Sequence, residues 1–269
     1  MTDLDAGNPS SAGSALLVTI WELGEAAGPL FIAPLSEVYG RYPVMNTANI
    51  LFVSAIAFAS VCTSTPLFVA SRALTGLCVA VNVLNPAIIG DMFVSEERGS
   101  PMSAVMLAPL IGGAIGPAIG GAIAETVGWR VVLYISVGLA SACEVLFLCY
   151  FQETYKVAIL RRRAAAWWKG SGGEAEMPEH LRPPEMSVRK LYHLASRPLG
   201  MLFGSGILFS LALFAAVSFS YFYVMSVSLP GILQGIYGFS PAETGAAFIA
   251  LSKYPPTPTG VRRRVGNGY

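Results

Sequence analysis

Arg72 stands alone in an apolar run that extends from Pro66 to Gly90. A guanidinium at bilayer depth has to face protein or a water-filled cavity, and intramembrane ionisable groups mark substrate, ion or proton pathways. The alternative is an arginine that snorkels to the outer interface, since it follows Pro66 by only six residues. Glu22 and Glu25 lie one helical turn apart in an earlier apolar run and present two carboxylates on one face. They are candidates for a proton or cation site; otherwise they simply flank the helix. Glu144 reads the same way, closer to the end of its own span. Asn82 and Asn85 share the Arg72 face loosely, and either line a cavity or bond a neighbouring helix. Glu37 and Arg41 are four residues apart around Gly40, a spacing at which one helical turn pairs an acid with a base. Such a latch at a helix end can favour one packing of two helical bundles; the bland alternative is a polar turn.

The surrounding sequence has to place these groups in a membrane. The 45 residues from Pro198 to Ala242 hold no charged side chain, and the 46 before them, Gln152 to Arg197, hold nine of the 17 Lys and Arg. The chain is 54% hydrophobic and 12% charged with a mean hydropathy of +0.59, where soluble domains are about 25% charged. A spanning helix needs about 20 mostly apolar residues. Spans are expected at 15–35, 44–63, 67–91, 101–124, 131–151 and 199–229, with a seventh starting near 240. A net charge of +1 gives no field for nucleic acid. Cys62, Cys78, Cys143 and Cys149 lie in apolar segments without metal or redox spacing, and read as small buried hydrophobes. No cofactor or metal is expected. No Walker loop, Ser/His/Asp set or HExxH appears, so no enzyme is indicated.

Basic residues set the orientation, because cytoplasmic loops collect Lys and Arg. Arg41 follows the first span, Arg98 the third and the nine-residue basic cluster the fifth, so odd-numbered spans should end in the cytoplasm. Residues 1–14 form a polar segment without a secretory signal, 15–151 a first bundle, 152–197 a cytoplasmic, flexible and partly amphipathic loop, and 198–252 the start of a second bundle. The last apolar stretch, Thr244–Ser252, is too short to span and runs into a polar tail, 253–269, which reads as a truncation or a misread frame.

One further pattern concerns packing. Gly112-Gly113-Ala114-Ile115-Gly116-Pro117-Ala118-Ile119-Gly120-Gly121 puts glycines 112, 116 and 120 on one face, which lets a neighbouring helix approach closely, and Pro117 bends the helix. A lone G-x-x-x-G is explained by packing alone. Two overlapping around Gly-Pro resemble the fifth-helix antiporter motif, G-x-x-x-G-P-x-x-G-G, of the major facilitator superfamily. The segment Ala33-Pro34-Leu35-Ser36-Glu37-Val38-Tyr39-Gly40-Arg41-Tyr42-Pro43 resembles that family's loop after its second helix. It is closest to the P-L-S-E-x-x-G-R-x-P form of fungal twelve-helix drug:proton antiporters. Ala33, Glu37 and Tyr42 depart from the general pattern G-x-x-x-D-x-x-G-R-[KR]. Arg72-Ala73-Leu74-Thr75-Gly76 resembles the family's R-x-x-q-G on the fourth helix, with Thr75 in place of glutamine. Gly128-Trp129-Arg130 and Glu153-Thr154-Tyr155 resemble the start and cytoplasmic exit of the sixth helix.

The resemblance implies an all-α membrane protein, an incomplete bundle of about six full transmembrane helices plus a partial seventh, matching family helices two to seven and part of eight. It implies proton-coupled efflux of drugs, polyamines or other amphipathic or cationic small molecules. Arg72 would couple the proton, Glu37, Gly40 and Arg41 would gate the cytoplasmic side, and Gly112, Gly116, Pro117, Gly120 and Gly121 would form the packing face. Partners would be the lipid bilayer, a small-molecule substrate and protons, in a multi-pass protein of the plasma membrane. The rivals are a truncated, non-transporting fragment or subunit that associates with intact relatives, and a nutrient uniporter.

Overall fold

A computed structural model describes residues 11–170 and 188–253. The expected ends at 1–10 and 254–269, and the middle of the basic loop at 171–187, lie outside the described residues. Among the described residues ten α-helices follow one another: α1 (Ser11–Tyr39), α2 (Arg41–Val61), α3 (Thr65–Val79), α4 (Asn85–Met92), α5 (Gly99–Thr126), α6 (Trp129–Tyr150), α7 (Lys156–Gly170), α8 (Val188–Gly204), α9 (Gly206–Gly235) and α10 (Pro241–Lys253). No strand occurs among the described residues.

Among the described residues, six stretches are long and apolar enough to cross a membrane: Leu16–Tyr39, Arg41–Val61, Thr65–Met92, Gly99–Thr126, Trp129–Tyr150 and Gly206–Gly235. Only α-helices and closed barrels satisfy every backbone polar group in hydrocarbon, so helix throughout is the expected outcome for such runs. The third is α3 and α4 joined by a 3-10 segment, Ala80–Leu84. Pro86 explains the tightening: without an N–H, and with its ring against the carbonyl one turn earlier, it disfavours a regular α turn over residues 82–86. Neither α5 nor α9 has a buried residue, so their apolar surfaces suit hydrocarbon or further helices.

Two details differ from the sequence reading. The sixth span begins at Gly206, not 199, because Ser205 breaks the chain between α8 and α9. Its carbonyl accepts the Phe209 N–H at 2.9 Å and its hydroxyl the Leu208 N–H at 3.4 Å, the bonding of a helix N-cap. The basic segment, expected to be flexible, is helical from 156 to 170 and again from 188.

The described residues fall into two compact units, one drawn from 1–103 and 133–227, the other from 104–132 and 228–269. The first holds the main core, where Ile32, Met45, Ala48, Ala80, Val81, Leu84 and Ile88 pack together with Val44, Phe147 and Phe151 against them.

Candidate functional site

The start of α2, in the first unit, is where the charges converge. Gly40 takes φ +103°, a left-handed conformation that L side chains rarely adopt, and this ends α1 and redirects the chain into α2. A new helix leaves its first N–H groups without partners. Glu153, more than a hundred residues away, supplies them: one oxygen accepts the Arg41 N–H at 2.8 Å and the other the Tyr42 N–H at 3.3 Å. The same carboxylate accepts the Tyr155 N–H at 3.1 Å and lies 3.9 Å from the Arg162 guanidinium. The Arg41 side chain is buried; it reaches Asp91 at the end of α4 at 3.3 Å, donates to the Ser36 hydroxyl and sits 5.0 Å over the Tyr155 ring. Arg98 closes the same end by donating to the carbonyls of Gly90 at 2.8 Å and Phe93 at 3.0 Å, at the end of α4 and just beyond it.

The expected Glu37–Arg41 pair does not form. Glu37 is exposed and makes no ion pair among the described residues. The i, i+4 geometry needs continuous helix, and the left-handed turn at Gly40 lies between the two. Sequence reading missed Asp91 and Glu153 as partners of Arg41. The available signal was their position: each is a carboxylate at the end of an odd-numbered span, where the basic residues also gather.

Arg72 is positioned by a close crossing of α1 and α3. A Cβ on Gly24 would strike the Ala73 carbonyl and the Leu77 backbone, one on Gly28 the Ala80 side chain, and one on Gly76 the Trp21 backbone. The two backbones are therefore in contact, through a Gly24-x-x-x-Gly28 spacing on α1 that was legible in the sequence and passed over. One turn before Gly76, Arg72 lines a cavity of about 300 Å³ with Trp21, Phe52, Ile56, Thr75 and Val79. Its guanidinium is half-buried and makes no ion pair among the described residues. A larger cavity of about 610 Å³ has walls that include Phe31, Leu35, Val44 and Leu77, with Arg162 at its edge.

Glu22 and Glu25 are half-buried, three residues apart on α1. Asn82 is exposed on the 3-10 segment and Asn85 half-buried at the start of α4; neither lines the Arg72 cavity.

The glycine motif of α5 belongs to the second unit, and its contacts differ from the expected ones. Nothing lies within 4 Å of a Cβ placed on Gly112, Gly113 or Gly116, and Gly120 meets only Val132 at 3.9 Å. The close approach occurs at the other end of the motif. A Cβ on Gly121 would strike the Pro241 backbone of α10, and one on Gly245 of α10 the backbone of Pro117 and Ala118. The Glu125 carboxylate accepts the Ala242 N–H at 2.9 Å, which caps α10 from α5.

The helix set and this charged turn fit one known family. The profile of the Major Facilitator Superfamily matches residues 4–253. The chain belongs to the major facilitator superfamily. It is similar to the MFS transporter fsa7 of a Fusarium species (33% identical over 250 residues, covering 90% of this chain and 48% of that protein). It is also similar to the MFS-type transporter penM of Penicillium rubens (35% over 244 residues, 88% and 47%) and to the efflux pump radE of Floropilus chiversii (29% over 271 residues, 99% and 49%). The chain thus spans about half the length of the curated relatives it matches. The fold is shared with the crystal structure of the human organic anion transporter MFSD10, at TM-score 0.60 and 21% identity over 89% of this chain and 54% of that one. Family and helices together make this an integral, multi-pass membrane protein of a transporter family, not of an enzyme family.

Proposed function

We propose that the chain forms the first bundle and the start of the second in a proton-coupled exporter of amphipathic or cationic small molecules, acting by alternating access at the plasma membrane. The observation that carries this reading is Arg72: an arginine inside a spanning stretch that lines a cavity of about 300 Å³ and makes no ion pair among the described residues. A cation so placed responds to the charge of whatever enters the cavity, which is what coupling requires. The efflux-pump relative supports the direction of transport, and the apolar walls of the larger cavity support an amphipathic cargo. In this reading Arg41, Asp91 and Glu153 hold the cytoplasmic ends of α2 and α4 together in one of two states, with Gly40 as the turn from α1 into α2.

The test is export of a fluorescent lipophilic cation from vesicles carrying the full coding sequence that contains this chain, driven by an imposed proton gradient. Export should follow the gradient, and Arg72→Ala should abolish it while membrane abundance stays the same. Export that ignores the gradient would favour the uniporter, and gradient-driven export that survives Arg72→Ala would make Arg72 structural. The rival of a non-transporting subunit draws on the half-length match, and predicts no export from the 269 residues without an intact relative.

A further inference from the structure

The larger cavity of the first unit lies beside the turn from α1 into α2. Its walls come from three spanning stretches and include Phe31, Leu35 and Tyr39 of α1, Val44 and Leu51 of α2, and Leu77 of α3. At about 610 Å³ it is large enough for a small-molecule site. Phe31, Tyr39 and Leu51 are each about half exposed, so this groove has an open side. Leu51 stands ten residues beyond Arg41, where α2 starts. At about 1.5 Å per residue the groove reaches roughly 15 Å from the turn, half of a hydrocarbon core of about 30 Å. That is the depth of an acyl chain in one leaflet.

The lining of the groove holds one charged residue, Arg162 of α7. Its side chain is 57% exposed, and the acid it faces, Glu153, stays 3.9 Å away, beyond hydrogen-bond length. The Glu153 oxygens are taken up by the Arg41, Tyr42 and Tyr155 N–H groups. The guanidinium therefore has donors to offer, and its planar fork matches the oxygens of a phosphate. The rest of α7 favours the same class of ligand. The helix contains no Asp or Glu, and Lys156, Leu160, Arg163 and Trp167 are exposed along one side at helical spacing. A side that mixes basic and apolar groups in this way belongs at a membrane–water interface, with the cations at lipid phosphates and Leu and Trp below them. Arg162 lies off that stripe, at the edge of the groove.

We propose that this groove between α1, α2 and α3 holds an acyl chain of an anionic phospholipid whose headgroup phosphate is bound by Arg162. A zwitterionic lipid carries the same phosphate beside its own cation, which weakens its attraction to a guanidinium. A net negative charge is what the basic side chains of α7 select. A transported amphiphile would compete with the lipid for the same walls, but occupancy by lipid does not rest on transport.

The test is photolabelling of the 269-residue chain in lipid nanodiscs. A diazirine sits midway along one acyl chain of either phosphatidylserine or phosphatidylcholine, at equal content, and mass spectrometry maps the adducts. The expected result is labelling of Phe31, Leu35, Val44 and Leu51 that is about fivefold stronger from phosphatidylserine, the effect of one basic side chain near an anionic headgroup. Arg162→Gln should abolish that preference, and Arg162→Lys, which restores the charge, should keep most of it. Arg163→Gln removes the same charge from the exposed stripe and should also leave most of it. Equal labelling by the two lipids, a preference that survives Arg162→Gln, or one that Arg163→Gln removes as fully, overturns the proposal. So does a groove that neither lipid labels because protein fills it. None of these readouts depends on export, so a failed transport assay and a failed labelling experiment count against different claims.

Discussion

The two compact units use the same two devices and differ in how deeply they bury them. In the first, glycines on α1 and α3 put backbone against backbone, and a distant carboxylate, Glu153, caps α2 with its side chain only 8% exposed. In the second, Gly121 and Gly245 put α5 against α10, and Glu125, exposed to solvent, caps α10 through one N–H. The lesson is that a glycine or a carboxylate in the right place supplies only the capacity for contact. What it is worth depends on whether a partner closes over it, since hydrogen bonds to charged groups gain strength as water leaves.

The largest effect should come from filling the α1–α3 crossing. Gly76→Val is expected to cost about 3 kcal/mol or to prevent folding, because the atoms it meets are the Trp21 backbone and cannot swing aside. Unfolding in mixed detergent micelles measures it, and a loss below about 1 kcal/mol would mean that the two backbones are not in contact. Next comes the buried cap. Glu153→Gln should cost about 1–2 kcal/mol, against about 0.5 kcal/mol for Glu125→Gln, because a buried charged acceptor serving several N–H groups is replaced in the first case and an exposed one in the second. Equal losses would erase the contrast between the units. The smallest change belongs to the open part of the α5 motif. Gly112→Ala meets nothing within 4 Å and should be neutral or stabilise by up to about 1 kcal/mol, from helix propensity alone. A clear loss there would show that another helix covers the face.

Much of the architecture could be read from residue order. Long, mostly apolar runs bounded by Gly40, Ser64, Gly99, Gly128 and Ser205 have few ways to satisfy their backbones in a bilayer other than as helices, which is why the six spans are found within a few residues of expectation except at 199–205. The family was legible for the same reason: its motifs are local. The connections within the site were not. Arg41 and Asp91 are 50 residues apart, and Arg41 and Glu153 are 112 apart, separations that no spacing rule addresses. The local rule that did apply, four residues from Glu37 to Arg41, failed because it assumes unbroken helix and Gly40 breaks it. The glycine run of α5 drew notice by density, yet only its Gly121 makes a close contact, whereas Gly24, Gly28 and Gly76 are sparse and all three do.

The central structural claim is that Arg41 is held by Asp91 and not by Glu37, and a double-mutant cycle tests it most directly. The stability of Arg41→Gln, Asp91→Asn and their combination yields one coupling energy; Arg41→Gln with Glu37→Gln yields the other. A buried Arg41 at 3.3 Å from Asp91 predicts a coupling of about 1–3 kcal/mol for the first pair and none resolvable for the second. Coupling confined to Arg41 and Glu37 would contradict this account and restore the local latch.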